Sequence, residues 1–282
     1  MLGLFRPELE RLGWTEGRNI VVLEPRTAEG VNERLPALAA KLVAEDPDLI
    51  VVQSVPAARA LVKTTKSIPV VMVGVGTPVE LGIVADYRRP GGNVTGSSYP
   101  ADQLVRKSLQ FLKEAAPRLR SVALFVNPSN GLPVDTHMRA DAIALGMQAQ
   151  IVVVAGKSAF ESAFAAIRDA KTESILIPPE ALIQANREAI AGFAQAHRLP
   201  LAVVGSSRAL PLTGLLAYAP APLEYARVTA KFVDRILRGA KPGDLPIEQP
   251  TRFSLVINLK AARMLGLTIP QSMLLAADEV IQ

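Results

Sequence analysis

Short apolar runs rich in valine, isoleucine and leucine recur along the chain at 19–24, 48–53, 69–74, 93–97, 121–127, 149–154, 174–178, 200–205 and 214–219. Most show no polar alternation, which is how strands covered on both faces read. Between them the apolar positions change to a helical period over 31–45, 56–64, 78–86, 100–115, 134–145, 158–169, 180–197 and 221–238. Strand and helix alternating in this way predict parallel sheets built from right-handed crossover units. Two sheets, each of roughly four or five strands, fit the pattern better than a single wide one.

Local punctuation sharpens the reading. Thr77-Pro78-Val79-Glu80 and Ser158-Ala159-Phe160-Glu161 have the spacing of capping boxes, the first with proline at the opening helical position. Pro90-Gly91-Gly92-Asn93 is a turn ahead of a strand, and 238–246 is the most linker-like passage. The chain opens inside an amphipathic helix carrying Leu4, Leu9 and Leu12 on one side, with no strand ahead of it. The first strand of an open doubly wound sheet is commonly central. A sheet without it has a gap or an exposed edge, so a missing first strand is expected.

A length of 282 residues corresponds to roughly two domains at ~150 residues each. The absence of cysteine excludes thiol nucleophiles, disulfides and thiolate metal sites. The net charge of +5 comes from interleaved signs, and no aromatic residue is threaded through a basic cluster, so no nucleic-acid partner is expected. The most apolar long stretch, 199–223, is broken by Pro200, Arg208, Pro211, Gly214, Pro220 and Pro222 and cannot form one continuous membrane helix. Residues 1–16 hold Pro7, Glu8 and Glu10 where a secretory signal needs an apolar stretch.

Candidate chemistry narrows quickly. His137 and His197 stand apart, neither at metal-ligand spacing, and are expected at the surface or at helix ends. Gly205-Ser206-Ser207-Arg208-Ala209 breaks the nucleophile elbow at its last position. Gly74-Val75-Gly76-Thr77-Pro78-Val79 starts like a dinucleotide fingerprint but has Val79 in place of the third glycine. No phosphate loop occurs, and no cofactor or metal is expected.

What does recur is small or polar residues after the predicted strands. They are Ser54 and Val55; Gly76 and Thr77; Ser97, Ser98 and Tyr99; Asn127 and Asn130; Pro179 and Glu180; and Gly205, Ser206 and Ser207. In open α/β sheets, ligands bind outside the carboxyl ends of the strands, where helix N-termini present free N–H groups. The same residue types also cap helices and build turns. For Thr77 the capping box would occupy the hydroxyl. For Ser54, Ser98, Asn127 and Ser206 capping and ligand contact both stay open.

Specific strings add a resemblance. Residues 5–20 (FRPELERLGWTEGRNI), 34–43 (RLPALAAKLV), 89–96 (RPGGNVTG) and above all 245–282 (LPIEQPTRFSLVINLKAARMLGLTIPQSMLLAADEVIQ) resemble the ABC-transporter substrate-binding proteins related to tryptophan- and tyrosine-type binding components. The resemblance runs essentially end to end. It implies a type I periplasmic-binding-protein fold, two Rossmann-like lobes of parallel strands with a ligand held in the cleft, and no catalytic residues. By that analogy 1–98 and 214–242 form the N-terminal lobe, and 99–213 with 243–282 the C-terminal lobe. The strand-end residues named above become candidate ligand-binding residues, with Tyr99 and Tyr218 as candidates for stacking on an aromatic ligand.

The function implied is a monomeric solute receptor of an ABC importer, periplasmic or extracellular and membrane-associated. It would close two lobes on an amino-acid-like or aromatic carboxylate and deliver it to permease subunits. A rival is a two-domain α/β enzyme binding a nucleotide or sugar phosphate in the same cleft, for which no acid–base pair is visible. An intracellular ligand-sensing regulator is a third possibility, though no helix-turn-helix precedes the lobes.

Overall fold

The computed structural model describes residues 2–128, 134–205, 210–211 and 213–282. The chain divides into two compact units, Met1–Pro100 with Ala221–Arg252, and Ala101–Pro220 with Phe253–Gln282. It therefore passes between them three times.

The first unit holds helices α1 (Leu2–Arg11), α2 (Leu35–Ala44) and α3 (Val55–Thr64), and strands β1 (Ile50–Gln53), β2 (Val70–Gly76) and β3 (Val94–Tyr99). The three strands pair in the order β1-β2-β3, all parallel. The second unit continues with α4 (Ala101–Ala115), β4 (Ser121–Val126), α5 (Val134–Ala144), β5 (Gln148–Val153), α6 (Phe160–Asp169), β6 (Ile175–Ile177), α7 (Ala181–Ala185), α8 (Arg187–Ala196), β7 (Leu201–Val203) and β8 (Leu216–Pro220). Helix α9 (Pro222–Leu237) belongs to the first unit, and β9 (Phe253–Asn258), α10 (Leu259–Leu265), α11 (Gln271–Ala276) and β10 (Glu279–Ile281) complete the second. Its seven strands run β10-β9-β8-β7-β6-β4-β5, parallel except where β8 meets β9.

The division into three and seven strands differs from the two similar sheets expected. The C-terminal run 253–281 adds β9 and β10 to the second sheet. In the first unit, 19–24 is not a strand; among the described residues its only ladder contact is an isolated bridge between Glu16 and Ile20. A strand needs a hydrogen-bonded neighbour, and β1 at the sheet edge pairs with β2 alone. Val21 and Leu23 are consequently left 78% and 41% exposed.

The predicted helix over 78–86 is a succession of turns instead. Thr77 has φ +44, whereas a capping residue needs extended backbone, and left-handed Gly82 (φ +65) stops a helical turn from propagating. Nor does the second box form, because α6 starts at Phe160 after a 3-10 turn and has no side-chain cap. Among the described residues, the side chains that cap helices are Glu180 on α7 and Asn258 on α10. The long helix predicted over 180–197 is broken at Asn186, which ends α7 and opens α8.

Each unit has its own core. In the first, Phe5 and Leu9 of α1 pack with Phe232 and Val233 of α9 over Val71 of β2. In the second, Phe125, Ile175, Ile177 and Val203 line the sheet beneath Phe160 and Ile190. These are the inward faces that the unalternating strand pattern requires.

Trp14 fixes the exit of α1 onto α9. Its Nε1 donates to Asp234 Oδ1 at 2.9 Å, and the Arg238 guanidinium lies 5.7 Å from the ring centroid. Burial alone would raise the Asp234 carboxyl, but the hydrogen bonds from Trp14 and Arg238 outweigh it and hold it below the usual carboxylate value. A depressed carboxyl stabilises the fold above its unfolded value of about 3.9, and that contribution is lost as pH falls through the folded value. Trp14→Phe should cost about 1.5 kcal/mol at neutral pH. Circular dichroism during urea unfolding would measure the loss, which should shrink as pH falls from the unfolded value of about 3.9 through the lower folded one; a constant loss across pH would disconnect Trp14 from Asp234.

Candidate functional site

Because β1, β2 and β3 are parallel, their carboxyl ends share one edge of the first sheet, which brings Ser54, Thr77 and Tyr99 to that edge. Ser54 opens α3 at φ +92 and ψ 146 without capping it. Thr77 also has positive φ, and its Oγ1 is buried with no hydrogen-bond partner among the described residues. A non-glycine residue in such a conformation costs on the order of 1–3 kcal/mol, and strain of this kind clusters at binding sites. Both hydroxyls are thus free of the capping duty that the sequence allowed. Val55, half-buried, is the first residue of α3.

The three residues at the end of β3 part company. Ser97 braces the sheet: its Oγ accepts from Gly74 N at 3.0 Å, beside the register shift between Met72 and Val75. Ser98 is fully buried, its N–H donates to Glu248 O, and its Oγ has no partner among the described residues. Tyr99 is half-buried, and its ring lies so close to Gly76 that a Cβ there would stand 3.4 Å from Tyr99 Cε2. Gly76 therefore provides the space for the Tyr99 ring.

Sequence reasoning missed Tyr225. Its ring, carried on α9, covers Gly74, where a Cβ would meet Cε1 at 2.9 Å. Burial first, and the neighbouring Tyr99 second, raise its hydroxyl above the usual tyrosine value. An aromatic residue early in the helix after 214–219 was the available signal.

In the second unit β4, β6 and β7 are adjacent and parallel, so their carboxyl ends also share an edge. Asn127 and Glu180 meet there, with Asn127 Nδ2 donating to Glu180 Oε1 at 3.1 Å. Glu180 Oε2 accepts from Ile183 N at 2.9 Å, which caps α7. Gln184, also missed, ties the next two loops together by donating from Nε2 to Pro178 O and Val204 O at 3.0 and 3.3 Å. Pro179 and Gly205 are half-buried on these loops, while Asn130, Ser206 and Ser207 lie outside the described residues.

Tyr218 sits within β8, its ring 5.2 Å from Phe111 and 5.7 Å from Phe253, centroid to centroid. Burial, then Asp278, raise its hydroxyl. This aromatic row joins α4 to β8 and β9 and engages the ring that was expected to stack on a ligand.

The first edge offers neutral hydroxyls and backbone groups. The second has one buried carboxylate already holding two N–H groups. His137 Nδ1 lies 3.2 Å from Asp102 Oδ2, and His197 ends α8 with its ring 4.5 Å from Phe193. Among the described residues no group of three or more potential metal ligands occurs, and no helix is long and apolar enough to cross a membrane.

Known proteins are similar to this chain over nearly its whole length. The sequence pattern of the family described as "ABC transporter substrate binding protein" matches residues 5–281. A tyrosine-binding protein of Clostridioides difficile (strain R20291) is 28% identical over 286 residues, spanning 98% of this chain and 80% of that protein. The structure of an ABC domain from Streptococcus pneumonia in complex with L-Trp superposes with a TM-score of 0.87 at 26% identity, covering 99% of this chain and 96% of the other. A conserved domain protein from Vibrio cholerae gives a TM-score of 0.88 at 28% identity, covering 99% and 93%.

Proposed function

The chain belongs to the ABC transporter substrate binding protein family, a solute-binding receptor for a small ligand, and from that premise we propose that its ligand is an aromatic amino acid or a related aromatic carboxylate. The observation that carries this reading is that a relative 28% identical is described as tyrosine-binding and a structure 26% identical holds L-Trp, and these match this chain over 98% and 99% of its length. The neutral edge of the first unit is compatible with it, since hydroxyl and backbone N–H donors suit a carboxylate without demanding a particular charge.

In this reading Ser54, Val55, Gly76, Thr77 and Tyr99 serve the ligand from the first unit, and Asn127, Asn130, Pro179, Glu180, Gly205, Ser206 and Ser207 from the second. Ser97 and Ser98 support them from within β3. A ligand bound by both units stabilises whichever arrangement lets both sets of loops touch it, and that differential affinity drives closure. The closed form delivers the solute to ABC permease subunits outside the cytoplasm. The protein works as a monomer, takes no nucleic acid and performs no covalent step.

Thermal unfolding against the twenty L-amino acids and a set of aromatic acids including benzoate tests the ligand class. A ligand at about 100 times its Kd adds about 2.7 kcal/mol, which raises Tm by roughly 5 °C or more. L-Tryptophan or L-tyrosine should give the largest rise. If none of the aromatic compounds shifts the transition, the assignment of ligand class fails.

A further inference from the structure

Tyr225 of the first unit is positioned by packing, and among the described residues its hydroxyl makes no hydrogen bond. Its ring is half-buried on α9 against Gly74, where an added Cβ would lie 2.9 Å from Cε1, 3.0 Å from Cζ and 3.2 Å from Oη. Gly74 itself is left-handed (φ +53) and turns its N–H to Ser97 Oγ, so backbone and ring are fixed together. Tyr99 repeats the arrangement over Gly76. Two phenols are thereby set over two glycines at the end of β2.

The Tyr225 hydroxyl makes no hydrogen bond among the described residues, and its electrostatic partner is Tyr99. The residue is half-buried, and a phenolic hydroxyl that the protein leaves unpaired can donate to an acceptor brought from outside. Burial keeps this phenol protonated at every working pH, so it is a neutral donor with no competing ionised form. None of the candidate residues on the same edge (Ser54, Val55, Gly76, Thr77 and Tyr99) carries a charge. An anionic ligand must be held there by neutral donors, and an O–H donor to a carboxylate makes the short, charge-assisted kind of hydrogen bond.

We propose that Tyr225 is a specificity-determining residue that donates its phenolic hydrogen to the ligand carboxylate, with Gly74 as the notch that admits its ring. The inference rests on the aromatic amino-acid reading above and extends it to the ligand group recognised by the first unit. Gly74 and Tyr225 then act as a unit, because any side chain at 74 would displace the phenol.

Calorimetric titration of the full chain and of Tyr225→Phe tests it, using L-tryptophan and L-tyrosine beside tryptamine and tyramine, which lack the carboxylate. Phenylalanine keeps the ring on Gly74 and removes only the hydroxyl. The variant should bind the amino acids about 10-fold or more weakly, bind the amines with unchanged affinity, and unfold at the unliganded Tm of the parent. Unchanged affinity for the amino acids overturns the proposal. So does an equal loss for amino acids and amines, or a loss matched by a fall in the unliganded Tm, since either assigns Tyr225 to packing. If the parent binds no aromatic amino acid, the functional reading itself falls and this inference with it.

Discussion

Gly96→Ala should disable the first unit, at a cost of about 4 kcal/mol or more. Gly96 lies in β3 opposite Met72, at φ +132, a conformation that side-chain-bearing residues rarely adopt. A Cβ there would stand 2.2 Å from Met72 O, 2.4 Å from Met72 N and 2.8 Å from Met72 C. These are backbone atoms of the neighbouring strand, so no rotamer change relieves the clash. Separating the strands would break the ladder that pairs Val70 with Val94 and Val71 with Thr95. It would also disturb the bond from Glu248 N to Gly96 O, which ties the 245–252 segment to β3. Gly192 is the control: it lies inside α8 with nothing within 4 Å of an added Cβ, so Gly192→Ala should be neutral or stabilise by about 0.5–1 kcal/mol. Circular dichroism melts with limited proteolysis would separate the two variants. Gly96→Ala melting within about 1 °C of the parent would show that β3 can move as a body.

That glycine illustrates what the sequence disclosed and what it withheld. The string RPGGNVTG was one of the four that supported the family resemblance, yet nothing in its spacing says that the last glycine faces a backbone carbonyl. The strands read well where burial on both faces left an uninterrupted apolar run, as at Ile175–Ile177 and Val70–Gly76. Residues 19–24 have the same composition without a paired neighbour, because pairing is decided by distant residues that local pattern does not record. Thr77 failed as a cap for a similar reason. Its triad of neighbours was right, but a left-handed φ at the end of β2 overrode the local preference. The same override left its hydroxyl without a capping bond. Ser54 shows the same coupling of strain with a hydroxyl that does not cap, at the end of β1. Ser97 shows the converse, a polar residue at a strand end whose hydroxyl is consumed by Gly74 N. Gln184 was illegible because its two acceptors, Pro178 O and Val204 O, belong to loops that only the sheet order brings together.

Glu180→Gln should weaken both the second unit and its ligand affinity, and the two losses separate support from contact. Glu180 is 8% exposed, and its two oxygens accept from different groups, Asn127 Nδ2 and Ile183 N. Glutamine has one acceptor oxygen in place of two. If that oxygen stays on Ile183 N, the amide N–H₂ faces the amide of Asn127, donor against donor. If it turns to Asn127, the first turn of α7 loses its cap. Either arrangement leaves a buried polar group unsatisfied, at about 1–3 kcal/mol. Because Asn127 and the 178–180 loop end adjacent strands, displacing one displaces the other, and affinity for an aromatic amino acid should fall about 10-fold or more in step with stability. Glu180→Asp resolves the roles further. Aspartate is a favoured N-cap, so α7 should keep its start, but the side chain is one methylene too short to reach Asn127 as well. This variant should keep most of the stability and still lose affinity, if positioning of Asn127 is what the ligand needs. Calorimetric titration beside chemical unfolding would read both quantities. If Glu180→Gln lost affinity with stability intact, the carboxylate would be a direct ligand contact and the bracing role would be refuted. If Glu180→Asp bound ligand as well as the parent, the Asn127 contact would be incidental to binding.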